Sequence, residues 1–402
     1  MDSGWSSGRH VRKRRQPALI GNGSLQSRSC LLGITMTETA FAPDWVSPPG
    51  ETIADVLDER GWTQAELADR LGFTRKHVND LIQGRSAMTP DAAERLATVL
   101  GSTIGFWLRR EAQYRAAQEA LRAREERKAQ TEWLGELPLR DMVGFGWVPK
   151  VKDRVDQLSE CLRFFGVASV DAWRQHYATP AAAFRAAKSQ SMTVGAVAAW
   201  LRQGERAAEA LACRPFNEAS FRAILGEFRA LTTEPPERFV DALVSRSAAC
   251  GVAVVFAPAP KGCPASGATR WLAPDRALLM LSLRYRTNDH LWFTFFHEAA
   301  HILLHGKRMQ FIEGVEPLDP NSEIEADAFA RDWLVPPAQA RKLQALAKEG
   351  VVSATRVTAL AKEIGVAPGI VVGRMQKEKW LPWTHLNGLK VSYTWAKDRS
   401  AA

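Results

Sequence analysis

Long apolar runs and paired cysteines are both missing from this 402-residue sequence. No stretch approaches the roughly 18 apolar residues that a membrane-spanning helix needs, so we expect a cytoplasmic protein with no membrane partner. The five cysteines are scattered and none forms a C-x-x-C pair, which argues against a thiolate zinc finger and fits a reducing compartment. The 46% hydrophobic content and 14 tryptophans instead indicate folded domains.

Positive charge is concentrated at the start of the chain. The formal net charge is +9, and residues 1–35 contribute +5 of it through six Arg or Lys against one acid. We expect a disordered basic extension here, either an arm that touches nucleic acid or the product of a mis-assigned start upstream of Met36. The remaining chain carries only +4, which is weak support for a nucleic-acid partner.

Residues 36–118 carry the cap and turn signals of a helix-turn-helix. Thr63 opens a helix over 64–71, and Thr74 caps the next helix over 75–83. The exposed start of this last helix would contact base edges, and residues near it would contact phosphates. The candidate DNA-binding residues are Gln64, Thr74, Arg75, Lys76, His77, Asn79 and Arg85. The alternative is a bundle that binds protein, since residues 36–115 hold 12 acids and nine Arg or Lys.

This segment resembles the Xre/Cro-type domain, in its HigA-like antitoxin and repressor branch. The resemblance rests on the run GWTQAELADRLGFTRKHVNDLIQGRSAMTPDAAERLATVLGSTIGFWL. It implies binding of operator DNA as a homodimer, and it makes a cognate toxin a further candidate partner.

Residues 119–235 contain amphipathic helical patterns but no catalytic spacing. We predict a helical connector or middle region, which is compatible with a dimer platform, a sensor or simple support. A polar helix over 109–128 leads into it, with opposite charges at helical spacing.

The strongest chemical signal is the run LWFTFFHEAAHILLH, residues 291–305. His297 and His301 are four residues apart, so on a helix both imidazoles reach one metal ion. Glu298 lies beside them and suits a general base. The alternative is a core helix whose histidines are only packed.

A second helix is predicted from residue 321 to the Pro336-Pro337 pair, and it offers a third ligand. We favour Glu325, which would complete an open two-His-one-Glu zinc site, with Glu323 as the alternative ligand. Glu325 is also compatible with a purely structural role, because Ser322-x-x-Glu325 has the form of a capping box.

Short strands are predicted before the histidine-bearing helix, at 252–256, 267–272 and 277–283. We expect the last of them to be a sheet edge that pairs with an extended substrate. Residues 236–345 would form this domain. Residues 346–402 would form a C-terminal helical cap on it, with a second DNA-binding element as the alternative.

The runs WFTFFHEAAHILLH and SEIEADAFARDWLVP together resemble the ImmA/IrrE family of metallopeptidases. The resemblance implies Zn²⁺ at His297, His301 and the downstream glutamate, with Glu298 as general base. It also implies a repressor-type protein as the substrate, although here an Xre-like domain occupies the same chain.

These observations predict a mainly α fold with a small α+β part: an N-terminal all-α helix-turn-helix domain, a helical connector and a C-terminal zincin-like α+β peptidase domain. The expected function is that of a DNA-binding transcriptional regulator with a zinc-dependent endopeptidase domain, which cleaves a repressor-type protein or itself. The alternative is a non-catalytic Xre-family repressor or antitoxin of a toxin–antitoxin module, whose metal site is vestigial or structural.

Overall fold

The computed structural model describes residues 47–178, 193–305, 311–312, 320–350 and 352–396, with the main chain alone at 311–312. The predicted basic extension, residues 1–35, lies outside them. By its internal contacts the chain divides into two compact units, Met1–Arg115 and Ala116–Ala402. Among the described helices, none has the length and apolar character needed to cross a membrane.

The first unit consists of short helices and the beginning of a long one. They are α1 (Pro49–Arg60), α2 (Gln64–Leu71), α3 (Arg75–Ile82), α4 (Pro90–Val99) and α5 (Ile104–Lys128), and the division between the units falls within α5. Threonine side chains accept a main-chain N–H three residues later at the starts of α2, α3 and α4, which stabilises each first turn. The polar helix predicted from residue 109 begins earlier in the structure, at Ile104.

Helices α1 and α3 cross at close range. A Cβ atom at Gly50 would overlap the carbonyl oxygen of Ile82, so only glycine fits at this point of α1. The apolar side chains beneath the crossing form one core, which includes Ile53, Leu67, Val78, Leu96 and Trp107.

The residues predicted as a connector belong to the body of the second unit. Their described helices are α6 (Leu139–Gly144), α7 (Arg154–Phe165), α8 (Val170–Trp173), α9 (Val194–Glu209) and α10 (Glu218–Ala230). Trp200 of α9 is wholly buried, and its indole N–H donates to the carbonyl oxygen of Ala257 at 3.1 Å. The described residues of this predicted connector or middle region thus supply part of the core.

A small mixed sheet lies at the centre of the second unit. After α11 (Pro236–Ala248) come β1 (Val252–Phe256), β2 (Gly267–Ala273), β3 (Arg276–Leu281) and β4 (Phe311–Ile312), in the spatial order β1-β3-β2-β4. Successive residues of β1 and β3 enter two different cores, so both sheet faces are covered, and residues 252–256 and 277–281 are all apolar. β3 pairs with β1 on one side and β2 on the other. The prediction that this strand is a free edge for substrate is therefore wrong.

The helices that follow β3 in the chain belong to the core on one face of the sheet. They are α12 (Asn288–Leu304), α13 (Pro320–Leu334), α14 (Pro337–Lys348), α15 (Ala354–Ile364) and α16 (Pro368–Lys377). α12 is buried on nearly all sides, which explains its dense apolar sequence.

The C-terminal segment packs on the start of α12, the position expected of a cap. Gly373 of α16 lies so close to Asp289 that a Cβ atom there would overlap its carboxylate. Lys390 pairs with Asp289 at 2.6 Å, and both side chains are more than nine-tenths buried. Asn288 also donates its main-chain N–H to the carbonyl of Val391 at 2.8 Å. These contacts join the end of the chain to the helix that carries both histidines.

Replacing Lys390 with methionine should lower the free energy of unfolding by about 3–5 kcal/mol, because the Asp289 carboxylate would stay buried without its partner. Urea unfolding of the full-length protein, followed by circular dichroism, measures the change. The double variant Lys390→Met, Asp289→Asn should recover much of the loss, since it removes both charges. If the single variant proves as stable as the wild type, the ion pair does not stabilise the fold.

Candidate metal centre and nucleic-acid interface

The two histidines of α12 face each other at one point of the helix surface. Their Nε2 atoms lie 3.0 Å apart, and the side chains are 2% and 1% exposed. Positions four residues apart lie one turn above each other on an α-helix, so local geometry alone brings the rings together. The predicted pairing of His297 and His301 is present.

A carboxylate from α13 completes a group of three. One oxygen of Glu323 lies 3.1 Å from Nε2 of His297, and the other lies 3.5 Å from Nε2 of His301. Zinc with bonds of about 2.0–2.1 Å in tetrahedral geometry needs ligand atoms about 3.3 Å apart. The three separations match that requirement, and the donor set of two imidazoles and a carboxylate suits Zn²⁺. Among the described residues, these three form the group able to hold a metal.

Glu325, the ligand favoured from the sequence, lies elsewhere. Its side chain is 64% exposed and its carboxylate is 3.3 Å from Nε2 of His305. Residues two positions apart point to nearly opposite sides of a helix, so Glu323 and Glu325 cannot both face His297. The capping-box alternative fails as well, because α13 begins at Pro320 and Ser322 lies inside it. The geometry therefore places Glu323, the alternative ligand, and not Glu325 in the group that could hold a metal ion.

Contacts at the Nδ1 atoms orient the two imidazole rings. Nδ1 of His297 is 3.0 Å from a carboxylate oxygen of Asp327, one turn beyond Glu323 on the same face of α13. When Nδ1–H donates to this carboxylate, Nε2 keeps its lone pair for a metal. Nothing in the sequence analysis singled out Asp327, although its spacing of four from Glu323 is a signal that was available.

His301 is oriented by a chain of two contacts. Its Nδ1 lies 2.9 Å from Nδ1 of His305, whose Nε2 faces Glu325. If His301 donates to His305, then His305 can donate to Glu325, and Nε2 of His301 again faces the other ligands as an acceptor. Glu325 thus contributes through His305 and not as a ligand.

Burial also determines the charge of the site. Desolvation by burial, together with smaller contributions from the neighbouring His297 and His305, lowers the pKa of His301 to about 2. His301 is consequently a neutral imidazole near pH 7, which is the form that binds metal ions.

Glu298, the predicted general base, is completely buried. The hydroxyl of Thr269 on β2 is 2.6 Å from the Glu298 carboxylate and 3.1 Å from its main-chain oxygen. Gly267 lies on the same face of β2, where a Cβ atom would overlap the carboxylate. The strand therefore holds this side chain in place. Sequence reasoning missed both β2 residues as site residues, although a two-residue spacing in a strand places them on one face.

The first unit presents its own candidate surface at the start of α3. Gly72, with φ of 68°, makes the left-handed turn between α2 and α3. Val78, Leu81 and Ile82 are buried on the inner side of α3, and the N-terminal residues of the helix face outward. This is the geometry in which a second helix can enter the major groove of DNA.

Comparison with known proteins bears on the first unit. A helix-turn-helix family model matches residues 53–107. Residues 53–107 form a helix-turn-helix domain. The uncharacterized HTH-type transcriptional regulator YddM of Escherichia coli K12 is 33% identical over 60 residues, which cover 15% of this chain and 64% of YddM. The chain thus spans less than two thirds of that relative, and the family model ends well before the histidines.

Solved structures also align with this chain. One of them is described as an antidote protein of a plasmid maintenance system from Nostoc punctiforme PCC 73102. It is 33% identical and covers 21% of this chain and 94% of its own, with a TM-score of 0.20.

The predicted DNA-contacting residues of the helix-turn-helix domain differ in accessibility. Those that are exposed are Gln64, Thr74, Arg75, Lys76 and Arg85, whereas His77 and Asn79 are half-buried. The Thr74 hydroxyl caps α3, His77 packs against the ring of Phe73, and Arg85 pairs with Asp80 at 2.9 Å. Arg75 and Lys76 are therefore the exposed cations at the tip of α3.

Loss of a residue that only orients a metal ligand typically weakens metal binding by roughly 10–100-fold. The variant Glu323→Gln should weaken zinc binding by more than this, because it removes a ligand. Glu325→Gln is the matched control, and its effect should stay within about that range because it acts through His305. Competition with a chromophoric chelator gives both affinities in the full-length protein. Equal losses in the two variants, or a larger loss with Glu325→Gln, would contradict the assignment of Glu323.

Proposed function

We propose that this protein is a DNA-binding regulator whose second unit is a zinc-dependent endopeptidase. The observation that carries the proposal is the group formed by two imidazole nitrogens of α12 and the Glu323 carboxylate of α13. The two nitrogens are 3.0 Å apart, one carboxylate oxygen is 3.1 Å from His297 and the other is 3.5 Å from His301, and Glu298 lies on α12 beside them. Three protein ligands are typical of catalytic zinc sites, whereas structural sites usually have four. Operator DNA and a repressor-type protein, or the chain itself, are the proposed partners.

The residues of the site divide the work of peptide hydrolysis. His297, His301 and Glu323 would hold the zinc ion, which supplies Lewis acidity when bound. Glu298 would accept a proton from the attacking water and deliver it to the leaving amine. Thr269 orients the Glu298 carboxylate, and Asp327 keeps His297 in the tautomer that exposes Nε2. The Glu323 side chain is 26% exposed, so solvent reaches the group from this side.

One observation favours the alternative, a non-catalytic repressor or antitoxin with a structural metal site. Glu298 has no exposed surface and is held by Thr269, so its carboxylate is covered by β2. In that case the helix-turn-helix domain would act on operator DNA alone, and a cognate toxin would be a candidate partner. Catalysis by Glu298 requires that its carboxylate become accessible to water.

Substituting Glu298 with glutamine separates these two functions. The variant should keep one zinc ion per chain but cleave at least about 100-fold more slowly, because loss of a general base typically costs 10²–10⁴-fold in rate. The assay combines zinc-loaded full-length protein with two substrates, its own chain and a repressor-type protein encoded beside its gene. Mass spectrometry detects the products and metal analysis gives the zinc content.

Glu323→Gln serves as the metal-deficient control in the same assay, and it should lose both zinc and cleavage. If the wild type binds zinc but cleaves neither substrate, the endopeptidase proposal fails and the structural-site alternative stands. If Glu298→Gln cleaves as fast as the wild type, another residue is the base.

Arg75→Ala should weaken binding to operator DNA by about tenfold or more, because an arginine at the start of a recognition helix commonly contacts a base edge or a phosphate. Arg122→Ala on α5 is the matched control, because this exposed arginine pairs, among the described residues, with Glu119 and Glu126 of its own helix. Fluorescence anisotropy with a duplex from the protein's own promoter, at one fixed salt concentration, measures both. Equal affinities for Arg75→Ala and wild type would exclude this end of α3 from the interface.

A further inference from the structure

A cavity of about 460 Å³ lies in the second unit, bordered by α12, α13, α16 and the segment around Trp383. This volume is within the range of about 300–1,000 Å³ that is typical of small-molecule sites. Much of its wall is apolar, formed by Phe293, Leu334, Val335 and Ile370. Tyr285 and Trp383 also line it, and their side chains are 53% and 59% exposed. The cavity therefore offers apolar contact together with two accessible aromatic rings.

This cavity is separate from the candidate metal centre. Its lining includes none of the residues His297, Glu298, His301 and Glu323. Asp327 borders both places, but it contacts His297 through Nδ1, whereas the metal-facing nitrogen is Nε2 on the other edge of the ring. A molecule in the cavity would thus lie on the Nδ1 side of the His297 ring, and a substrate held at the metal would lie on its Nε2 side.

Arg374 of α16 is the most informative residue of the wall. Its Nε and Nη1 atoms are buried and make no hydrogen bond to any residue that the structure describes. The nearest carboxylate is that of Glu378, whose oxygen lies 3.1 Å from Nε without hydrogen-bond alignment. Buried guanidinium N–H groups without acceptors cost free energy, so an arginine in this state on the wall of a cavity indicates an acceptor supplied by a ligand. Guanidinium pairs well with carboxylate and phosphate groups.

The acidic residues of the wall other than Glu378 are engaged elsewhere. Asp289 is paired with Lys390 at 2.6 Å, and Asp327 contacts His297 at 3.0 Å. Two further cations, Arg331 and Lys377, also line the cavity. Arg331 has Asp332 at 3.2 Å, and the structure shows no ion pair between Lys377 and any described carboxylate. Cationic donors are consequently left for an incoming anion.

We propose that this cavity binds a small organic anion, whose carboxylate or phosphate meets Arg374 and whose flat apolar body lies against Phe293, Ile370 and Trp383. This site goes beyond the proposed function and does not depend on zinc or on cleavage. It gives the second unit a place to receive a small-molecule signal.

Calorimetric titration of the full-length protein with three probes tests the proposal. The probes are phenylacetate, phenyl phosphate and the neutral phenylacetamide, and the titrations are done on both zinc-free and zinc-loaded protein. At least one of the two anions should bind at least about tenfold more tightly than the amide, since an anion forms charge-assisted hydrogen bonds with the guanidinium and the amide offers only a neutral acceptor. Preference for one anion over the other identifies the carboxylate or the phosphate as the recognised group.

Arg374→Met should weaken binding of the preferred anion by about tenfold or more, and Lys377→Met should weaken it by a smaller factor. Arg222→Met is the matched control, because this arginine is paired at 3.2 Å with Glu218 on its own helix and is not part of the cavity wall. Lys377 is exposed, so its variant remains informative if Arg374→Met does not fold. The proposal is overturned if neither anion binds the wild type at millimolar concentration, or if the amide binds as well as the anions. If Arg374→Met folds, unchanged anion binding in this variant also overturns the proposal. If it does not fold, unchanged anion binding in Lys377→Met does so.

Discussion

A buried helix that carries polar side chains must find a partner for each of them, and α12 is such a helix. Its enclosed polar residues are Asn288, Asp289, Thr294, His297, Glu298 and His301. The partners come from distant parts of the chain: the C-terminal tail at the helix start, Thr269 of β2 in the middle, and the carboxylates of α13 at the histidines. Because an unpartnered buried polar group costs free energy, these elements must lie where they are relative to α12. The same contacts to α12 therefore determine both the architecture of the second unit and the geometry of its candidate site.

The helix-turn-helix domain meets a different constraint, which is charge. Its neighbourhood in the chain carries more acids than bases, so the domain has no broad basic surface to attract DNA. Several of its arginines are also engaged with acids of the same unit, as Arg70 is with Glu66 and Arg85 with Asp80. What is left for DNA is local: Arg75 and Lys76 at the exposed start of α3. Recognition would then rest on a small patch, which suits binding as a dimer with two such patches.

Much of the local structure was predictable, because it depends on neighbours in the sequence. Thr63 and Thr74 cap helices that begin where the side-chain pattern indicates, and β1 occupies the predicted residues 252–256. The failures concern long-range packing. Alternation and β-branching identify a strand but not its neighbours, so the strand at 277–283 was expected at an edge and is interior. For the same reason the sequence left the role of residues 119–235 open, and their described helices contribute to one of the two cores of the second unit.

The candidate metal group shows the same division. The sequence by itself determined that His297 and His301 meet, because four residues make about one helical turn regardless of what surrounds the helix. It also determined that an acid from the next helix was available, since Glu323, Glu325 and Asp327 are all there. Only the tertiary structure decided which acid contacts which histidine. The rotation of α13 about its own axis is set by the apolar residues it buries against α12, and that rotation turns Glu323 and Asp327 towards His297 and Glu325 towards His305.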